Sequence, residues 1–401
     1  MKVTYLFTTF PVLTETFLQR EITAMQKAGV DLTLKSLWGG GNSFQGLPIR
    51  RFRKHRLIFL LWRLPLEWWR RPEVFPLLLS SCFRRKVPSL LNFLENLLGM
   101  GYAISEVQQW RKAPPDHIHA VWGSLPATAA WTLSLLTSTP FSMGAHAYDI
   151  FENGGDWLLR EKISRAQFVH TSTREGEKRL LELGCSQEKI LLVRRGLAEI
   201  PQIKPLRSPR LQVRLLCVAR LVEKKGLFRQ LEIYSRLREE GIPFEARIVG
   251  EGPLRKRLLE KRDALGLAGL VHFAGRKSEV EVQGLFAWAD VLFHTGIIAK
   301  NGDRDGLPNV IPEAMARGVV VCSSPVSGSA EVIVDGENGF LMDPAHPEAW
   351  ASRLWEVVMN DQLAEVLRRN GRDWVREHFD AHKNAAILRR AMAGGKKRII
   401  L

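Results

Sequence analysis

Two carboxylates eight residues apart form the clearest chemical pattern in this chain. Asp305 precedes a Gly-Leu-Pro turn, and Glu313 stands directly before the small residues 314–316. A proline has no N–H to give to a helix interior, so Pro312 fits only in a first turn and predicts a helix that begins between residues 309 and 311. Such a helix end attracts phosphate, and the carboxylates can accept hydrogen bonds from hydroxyls. Sugar nucleotides carry both groups.

The stretch 303–318 resembles the signature of glycosyltransferase family 4, whose members are retaining enzymes of GT-B architecture. That signature runs Glu, Gly, Leu or Phe, Pro, three variable positions and Glu-Ala, and Asp305 and Glu313 occupy its acidic positions. Asp305 is one methylene shorter than the family's Glu. Without the resemblance, the stretch is an acidic turn followed by a helix carboxylate that favours the dipole. The donor-binding residues that the resemblance implies here are Asp305, Gly306, Leu307, Pro308, Asn309 and Glu313.

A pair of cations follows an earlier predicted strand. Arg220 and Lys225 bracket the turn after the buried run Val213–Val218, and Gly226 closes that turn. In family 4 the matching Arg and Lys hold the donor diphosphate, and the resemblance implies the same role here. Fixed positive charge suits this position, because the leaving nucleoside diphosphate gains negative charge as the glycosidic bond breaks. The alternative is a basic turn exposed to solvent.

The N-terminal segment FPVLTETF resembles the first loop of the exopolysaccharide and colanic-acid-type branch of the family. By that resemblance Thr14, Glu15 and Thr16 face the donor phosphates and the acceptor, with Thr14 standing where the branch usually has Ser. Without it, Thr14 is the N-cap of a helix whose first turn holds residues 15–17. Both interpretations place the loop at the start of the same helix.

Two histidines stand at or near the ends of predicted strands in the first half of the chain. Ligands of open α/β sheets bind at the carboxyl ends of strands, and family 4 places a histidine there, near the transferred sugar. His146 is therefore a candidate catalytic residue together with Asp305 and Glu313, although a lone histidine is usually structural. His119 is a further candidate for the acceptor site, and Asp149 is predicted to position the loop after His146.

The loop VHFAGRKSEV lies against the nucleotide base in relatives, so the resemblance implies donor contacts from backbone groups of Arg276 and Lys277. Residues 303–305 read DxD, the metal motif of the other glycosyltransferase architecture, but here they belong to the signature loop. We predict that no metal and no cofactor is required. The nucleoside-diphosphate sugar is then a substrate.

These residues require two domains to position them. A chain of 401 residues exceeds the size at which one core usually stops growing. A predicted strand, helix and strand within residues 3–37 open a doubly wound sheet, and a second series begins at residue 213 after the proline-rich stretch 199–210. We therefore expect an α/β protein of GT-B architecture, with two Rossmann-like doubly wound domains that face a cleft. The predicted divisions are an acceptor domain at 1–200, a nucleotide-sugar domain at 201–374, and a C-terminal helix and basic tail at 375–401 that crosses back to the first domain.

The segment 50–112 has a composition of its own. It contains thirteen Lys and Arg against four Glu, a net charge of +9 within a chain total of +16. Trp62, Trp68, Trp69 and several leucines are interleaved with these charges. A basic and aromatic mixture of this kind is typical of a peripheral face on an anionic membrane. The alternatives are ordinary core helices with solvated Arg faces, or nucleic-acid binding, which no recognisable motif supports.

The remaining composition bears on the compartment. Four separated cysteines form no CxxC pair, which argues against a disulfide framework or a zinc site. The N-terminal apolar run is too short for a signal peptide, and no stretch approaches the length of a spanning helix. We predict a cytoplasmic protein, with peripheral association at the inner face of the cell membrane.

Together the motifs predict a retaining glycosyltransferase. The expected reaction moves a sugar from a nucleoside-diphosphate sugar to a hydroxyl of a membrane- or lipid-linked saccharide in surface polysaccharide synthesis. One alternative is a GT-B sugar-nucleotide epimerase or hydrolase without an acceptor face. Another is a catalytically silent protein of the same fold that binds membrane or nucleic acid.

Overall fold

The computed structural model describes residues 1–12, 15–203, 205–207, 212–326 and 328–394. The chain divides into two compact units, one made of residues 1–196 and 381–401 and the other of Leu197–Asp380. The division falls just before the proline-rich stretch 199–210. Thr14, Ser327 and the basic tail after Gly394 lie outside the described residues.

The first unit alternates strands with helices, as its sequence predicts. Its elements are β1 (Lys2–Phe10), α1 (Thr16–Lys27), β2 (Asp31–Gly40), β3 (Ser43–Phe44), β4 (Leu47–Arg51), α2 (Leu60–Arg70), α3 (Val74–Phe83), α4 (Leu90–Lys112), β5 (His117–Ala120), α5 (Leu125–Thr137), β6 (Phe141–Gly144), α6 (Tyr148–Phe151), α7 (Leu159–Arg165), β7 (Val169–Thr171), α8 (Arg174–Glu182) and β8 (Ile190–Leu192). The strands form one sheet in the order β3-β4-β2-β1-β5-β6-β7-β8. All described pairings are parallel except that of β3 with β4.

Apolar side chains cover both faces of this sheet. Val3, Tyr5 and Phe7 of β1 pack into one core cluster with α1, whereas Leu6 packs into another with α4 and α5. Successive residues of a strand point to opposite faces, so β1 contributes to both clusters. Burial on two faces explains why these strands read as continuous apolar runs.

The second unit repeats the same plan. Its elements are β9 (Val213–Val218), α9 (Leu227–Glu239), β10 (Phe244–Val249), α10 (Arg255–Ala264), β11 (Val271–Gly275), α11 (Glu279–Trp288), β12 (Val291–His294), α12 (Val310–Ala316), β13 (Val320–Ser323), α13 (Ser329–Val332), β14 (Phe340–Leu341), α14 (Pro347–Met359) and α15 (Asp361–His378). The sheet order is β11-β10-β9-β12-β13-β14, and the described pairings are parallel. This is the doubly wound order of dinucleotide-binding folds.

The last helix, α16 (Ala381–Met392), belongs to the first unit and packs against α1. Ala385, Leu388 and Met392 enter the same core cluster as β1. The sequence predicts a return near residue 375, but the chain stays in the second unit until Asp380. The reason is that Phe379 is fully buried in that unit's core and its carbonyl accepts from Leu197 N at 2.7 Å.

Candidate active site

In the second unit, the strand order reverses between β9 and β12. Ligands of doubly wound sheets bind outside the carboxyl ends of the strands at such a reversal. Lys225 follows β9 and Asp305 follows β12, and the Lys225 ammonium donates to the Asp305 carboxylate at 2.5 Å. Two residues that lie eighty positions apart in the chain thus meet at the point that the topology favours for a ligand.

The turn that carries Lys225 is locked against the segment after β12. Thr295 donates its hydroxyl to the carbonyl of Lys225 at 3.1 Å, and Ile297 N donates to the carbonyl of Lys224 at 2.8 Å. Gly226 closes the turn with φ +62°, and a Cβ there would lie 1.9 Å from the carbonyl oxygen of Thr295. Both the backbone conformation and the close approach therefore require glycine.

Three side chains, those of Lys225, Lys224 and His294, lie within 4 Å of the Asp305 carboxylate. Lys224 bonds Asp303 at 2.9 Å and lies 3.7 Å from Asp305, while His294 Nε2 lies 3.4 Å from Asp305. Burial raises the pKa of Asp305, but Lys225, His294 and Lys224 outweigh it and hold that pKa well below its usual range. The pKa of His294 is lowered, mainly by burial and despite the neighbouring carboxylate. At neutral pH the Asp305 carboxyl is therefore ionised and the His294 imidazole is neutral.

Helix α12 begins at Val310, which confirms the start predicted from Pro312. Asn309 is its N-cap residue, and Glu313 lies half-buried in the first turn. In the loop before it, Gly306 accepts a hydrogen bond from Gly328 N at 2.8 Å, and Leu307 and Pro308 are buried. The signature loop is thus tied to the loop before α13 through Gly306, and Asp305 lies beside His294 at the carboxyl end of β12.

The other predicted donor-binding residues lie on neighbouring loops of the same sheet. Arg220 is exposed two residues after β9, and Arg276 is exposed directly after β11. Lys277 donates to Glu281 on α11 at 3.0 Å, so its side-chain charge is already paired.

Sequence reasoning missed two members of this group. Lys224 and His294 are buried beside Asp305, yet neither belongs to the signature stretch. Their positions in the chain could have indicated them, because Lys224 adjoins Lys225 in the loop after β9 and His294 is the last residue of β12.

The first unit has its own reversal, between β1 and β5. Glu15 is the N-cap residue of α1, so the predicted cap at Thr14 is wrong by one position in the described structure. Thr16 accepts a hydrogen bond from Arg20 through its hydroxyl at 2.7 Å. Glu15 and Thr16 are thus the cap and the first residue of the helix that follows β1.

His146 follows β6 and is buried. Its ring lies 4.7 Å from that of His170 and 5.7 Å from that of Trp122, measured between centroids. Its Nδ1 atom has no hydrogen-bond partner among the described residues. Burial, with smaller contributions from nearby cationic groups, keeps the pKa of His146 well below its usual value, so the ring is neutral at pH 7.

Asp149 joins the loops that follow β5 and β6. Its carboxylate accepts from Gly123 N at 3.0 Å, from His146 N at 3.1 Å and from Ala147 N at 2.8 Å. Burial raises its pKa, while these backbone bonds lower it. The contacts agree with the predicted role of Asp149 in positioning the loop that carries His146.

His119 lies inside the sheet on β5. Its Nδ1 is 2.8 Å from Ser142 Oγ, and its Nε2 is 4.0 Å from Glu21 Oε1. Burial holds its pKa well below the usual value, with a further lowering from His170. His119 is thus a neutral side chain with a hydrogen-bond partner in the interior.

Glu21 was not singled out in the sequence because it lies within an amphipathic helix. It accepts from the Tyr5 hydroxyl at 3.0 Å and lines a small pocket with His146, His170 and Arg195. Burial raises the pKa of Glu21 to about 7, against the opposing effects of Tyr5 and Arg195.

Replacing Glu21 with Gln is expected to change how stability depends on pH. Between about pH 4.3 and about pH 7 the folded protein holds a proton that unfolded Glu21 has lost, so this group lowers stability as pH rises. Between pH 4 and pH 8, the free energy of unfolding of the variant should therefore rise by about 3 kcal/mol relative to that of the wild type. Urea unfolding at both pH values measures it. The buried histidines make stability rise with pH, but they are present in both proteins, so their effect cancels in the comparison. If the variant and the wild type differed in stability by the same amount at pH 4 and pH 8, the assignment would be contradicted.

Among the described residues, no three His, Cys, Asp or Glu side chains are placed to hold a metal ion. Asp303 and Asp305 of the DxD sequence lie against Lys224. Metal independence stays a prediction. No helix in the described ranges combines the length and apolar character needed to cross a membrane.

Residues 201–374 match the family model described as "Glycosyl transferases group 1". The putative colanic acid biosynthesis glycosyltransferase WcaL of Escherichia coli is 32% identical over 54% of this chain and 52% of its own length. The amylovoran biosynthesis glycosyltransferase AmsK of Erwinia amylovora is 31% identical over 52% of each chain. The chain thus spans about half the length of these curated relatives.

Solved structures share the fold over almost the whole chain. Anabaena Alr3699/HepE, in complex with UDP and glucose, superposes with a TM-score of 0.72 at 18% identity and covers 98% of this chain and 99% of its own. Sucrose-phosphate synthase from Thermosynechococcus elongatus gives 0.72 at 15% identity, covering 98% and 100%. These likenesses confirm the predicted α/β fold class, with two Rossmann-like domains of the GT-B type.

Proposed function

We propose that this chain, whose residues 201–374 form a glycosyl transferases group 1 domain, is a retaining glycosyltransferase. It moves a sugar from a nucleoside-diphosphate sugar to an acceptor hydroxyl. The observation that carries the proposal is the meeting of Lys225 and Asp305 at the strand reversal of the second unit. It places fixed positive charge and an ionised carboxylate where a sugar diphosphate needs them.

Each charged group has a distinct task toward the donor. The Lys225 ammonium has three N–H donors, of which Asp305 takes one, so further donors can bond the diphosphate. Arg220 adds a planar guanidinium suited to phosphate oxygens. Asp305 and Glu313 accept hydrogen bonds from sugar hydroxyls. The positive groups act most strongly as the bond to the sugar breaks, because the leaving diphosphate then gains charge.

Retention is accounted for by reaction on one face of the sugar. The bond between the anomeric carbon and the phosphate oxygen breaks, and a bond to the acceptor oxygen forms on the same side. The acceptor's proton passes to the leaving phosphate oxygen, so no separate base is needed. His146 is neutral, and its Nδ1 is available for a hydrogen bond to the sugar or acceptor.

The relatives support a place in polysaccharide assembly. WcaL and AmsK are described as colanic acid and amylovoran biosynthesis glycosyltransferases, and HepE was solved with UDP and glucose. We infer a sugar nucleotide as donor and a growing, lipid-linked saccharide as acceptor, on the cytoplasmic side of the cell membrane.

The test is a panel of UDP-, GDP- and ADP-sugars in buffer free of divalent metal, with binding and slow hydrolysis measured for the full chain. We expect one preferred donor and turnover that chelator does not abolish. Retention is read by NMR from the anomeric configuration of the first product. Binding of no donor, or inversion of the anomeric centre, would sink the proposal. Release of an epimerised sugar nucleotide would favour the epimerase.

Helix α2 supports the membrane part of the proposal. Its buried residues are Arg63 and Glu67, whereas Leu61 and Trp69 are 73% and 79% exposed. Glu67 is fully buried and accepts from both terminal nitrogens of Arg111, at 2.7 and 2.5 Å. A helix that buries its carboxylate in an ion pair and exposes its indoles is suited to an apolar neighbour rather than to water.

More apolar side chains continue this surface along α3 and the start of α4. We define the apolar face as the exposed large hydrophobic residues of α2, α3 and the first turns of α4, which are Leu61, Trp62, Leu64, Trp68, Trp69, Leu77, Leu79, Phe83, Leu90, Leu91 and Leu94. The surrounding segment 50–112 carries a net charge of +9. Basic residues near an anionic surface contribute about 1 kcal/mol each, and exposed indoles enter its interface. We infer that this face rests on an anionic membrane.

Replacing Trp62 and Trp69 with serine is expected to weaken binding to vesicles of phosphatidylcholine and phosphatidylglycerol about tenfold. Two indoles that each bury about half of their surface in the membrane interface contribute ~1–2 kcal/mol to binding, and the variant loses that energy. Vesicle co-sedimentation measures it. Trp355→Ser, which removes an exposed indole from α14 of the second unit, is the matched control and should bind like the wild type. Equal binding of all three proteins, or binding insensitive to salt, would contradict the assignment.

A further inference from the structure

A second pocket lies in the first unit, at the carboxyl ends of β2 and β4. It has a volume of about 470 Å³ and is lined by the end of β2, by Asn42 and by the stretch from Ile49 to Arg53. The carboxyl ends of parallel strands are where α/β sheets bind ligands. This pocket therefore shares an edge of the sheet with the loops after β1 and β5. Its arginines belong to the basic segment 50–112, but none of its residues belongs to the apolar face or to the candidate active site.

The lining of this pocket is strongly cationic. Arg50, Arg51 and Arg53 all contribute to it, and no acidic residue does. Arg51 donates to the carbonyl of Gly40 at 3.3 Å. Among the residues that the structure describes, Arg50 and Arg53 form no ion pair. Three guanidinium groups within four residues repel one another, and a bound anion would remove that repulsion.

Two lysines lie near this lining without belonging to it. Lys35 is the register partner of Arg50 on β2, and its ammonium lies 4.4 Å from the ring centroid of Trp110. Lys54, the residue after the pocket, places its ammonium 3.2 Å from the ring centroid of Trp38, which is 57% exposed. The three arginines of the lining, with Lys54 next to them in the chain, therefore concentrate positive charge at this pocket, which suits an anion.

The remaining lining groups indicate what carries that anion. The edge of the Trp38 indole gives an apolar contact, and the Asn42 amide can both donate to and accept from hydroxyls. Guanidinium groups bind phosphate and carboxylate in the same two-point manner. The volume exceeds what a single phosphate fills and suits a sugar unit or two.

We propose that this pocket binds a saccharide bearing phosphate or carboxylate groups. The inference rests on the proposed function, because it makes the pocket the anchor of an anionic acceptor whose reacting hydroxyl is elsewhere on the same molecule. The pocket directly precedes the segment that leads into α2, so a lipid-linked phosphate and an acidic sugar of the glycan are the two sources of the anion.

Binding of three probes to the full chain tests the proposal by titration calorimetry. The probes are glucose 1-phosphate, an oligoglucuronate and the neutral maltohexaose. We expect at least one anionic probe to bind, weakening as salt rises, and maltohexaose to bind at least tenfold more weakly. Preference for the phosphate assigns a glycosyl phosphate, and preference for the glucuronate assigns an acidic glycan.

The double variant Arg50→Gln with Arg53→Gln should bind the anionic probe about tenfold more weakly than the wild type, or more weakly still, because each charge-assisted contact is strong. Arg160→Gln with Arg165→Gln removes two exposed arginines from α7 of the same unit and should bind as the wild type does. Equal binding by both variants, or equal binding of the neutral and anionic probes, would overturn the proposal.

The donor panel separates this inference from the function on which it rests. If a sugar nucleotide is turned over while no anionic saccharide binds, the pocket inference is wrong and the proposed function stands. If the anionic saccharide binds while no donor does, the glycosyltransferase proposal is wrong and the pocket remains a saccharide site.

Discussion

Replacement of Lys225 with alanine is expected to lower turnover of the preferred donor by about a hundred- to a thousandfold. Removing one preorganised charged donor from a developing anion has an effect of that size. The loss should fall mainly on kcat, because the charge on the diphosphate grows as the bond breaks. Turnover of the UDP-, GDP- or ADP-sugar selected by the panel measures it. Turnover within about threefold of the wild type would remove Lys225 from the site.

The substitution also changes the folded site, so activity alone does not decide the matter. Asp305 loses its closest partner but keeps Lys224 and His294 within 4 Å. We therefore expect the variant to remain folded with a lower melting temperature. Lys256→Ala removes an exposed lysine of the same unit and should leave both quantities unchanged. Lys225→Arg keeps the charge and should recover part of the rate if charge is what the site needs.

Replacement of Asp149 with alanine is expected to destabilise the first unit by about 4 kcal/mol. The carboxylate accepts from the backbone N–H groups of Gly123, His146 and Ala147, and each buried donor left without a partner costs about 1–3 kcal/mol. Relief of the buried charge offsets part of that cost. Hydrogen exchange of peptides at the ends of β5 and β6, together with thermal unfolding, measures the effect and assigns it to this unit.

Two further variants make that result specific. Asp149→Asn keeps one acceptor oxygen and should cost about half as much. Asp116→Ala removes a carboxylate that accepts a single N–H, from Lys2, near the surface, and should cost less than about 1 kcal/mol. If Asp149→Ala were no more damaging than Asp116→Ala, the carboxylate would not be what holds the two loops.

The donor side of the site could be predicted from sequence because local chemistry determines it. One proline set the start of α12 to within a residue, and Gly226 marked the close approach in the loop after β9. The alternating apolar runs predicted both doubly wound sheets. A parallel strand must be followed by a crossover, so the order of segments along the chain already restricts the possible folds.

What sequence reasoning missed depends on contacts between distant segments. Lys224 becomes part of the site through Asp303, seventy-nine residues later. The raised pKa of Glu21 comes from its burial beside Tyr5 of β1, which an amphipathic helix pattern does not reveal. The two faces of helix α2 could have been predicted from the sequence. Arg63 and Glu67 share one face at a spacing of four residues, and Trp62 and Trp69 share another at a spacing of seven.

Helix α16 makes the completion of the first unit depend on residues that are synthesised after the whole second unit. A ribosome releases residues 1–196 long before it delivers Ala381, Leu388 and Met392, which complete the core cluster beside α1. The second unit is contiguous and can finish folding first. Until then the nascent first unit presents an unfilled apolar groove along α1, which makes it a natural client for chaperones. A fragment that ends before residue 381 would keep that groove open and tend to aggregate.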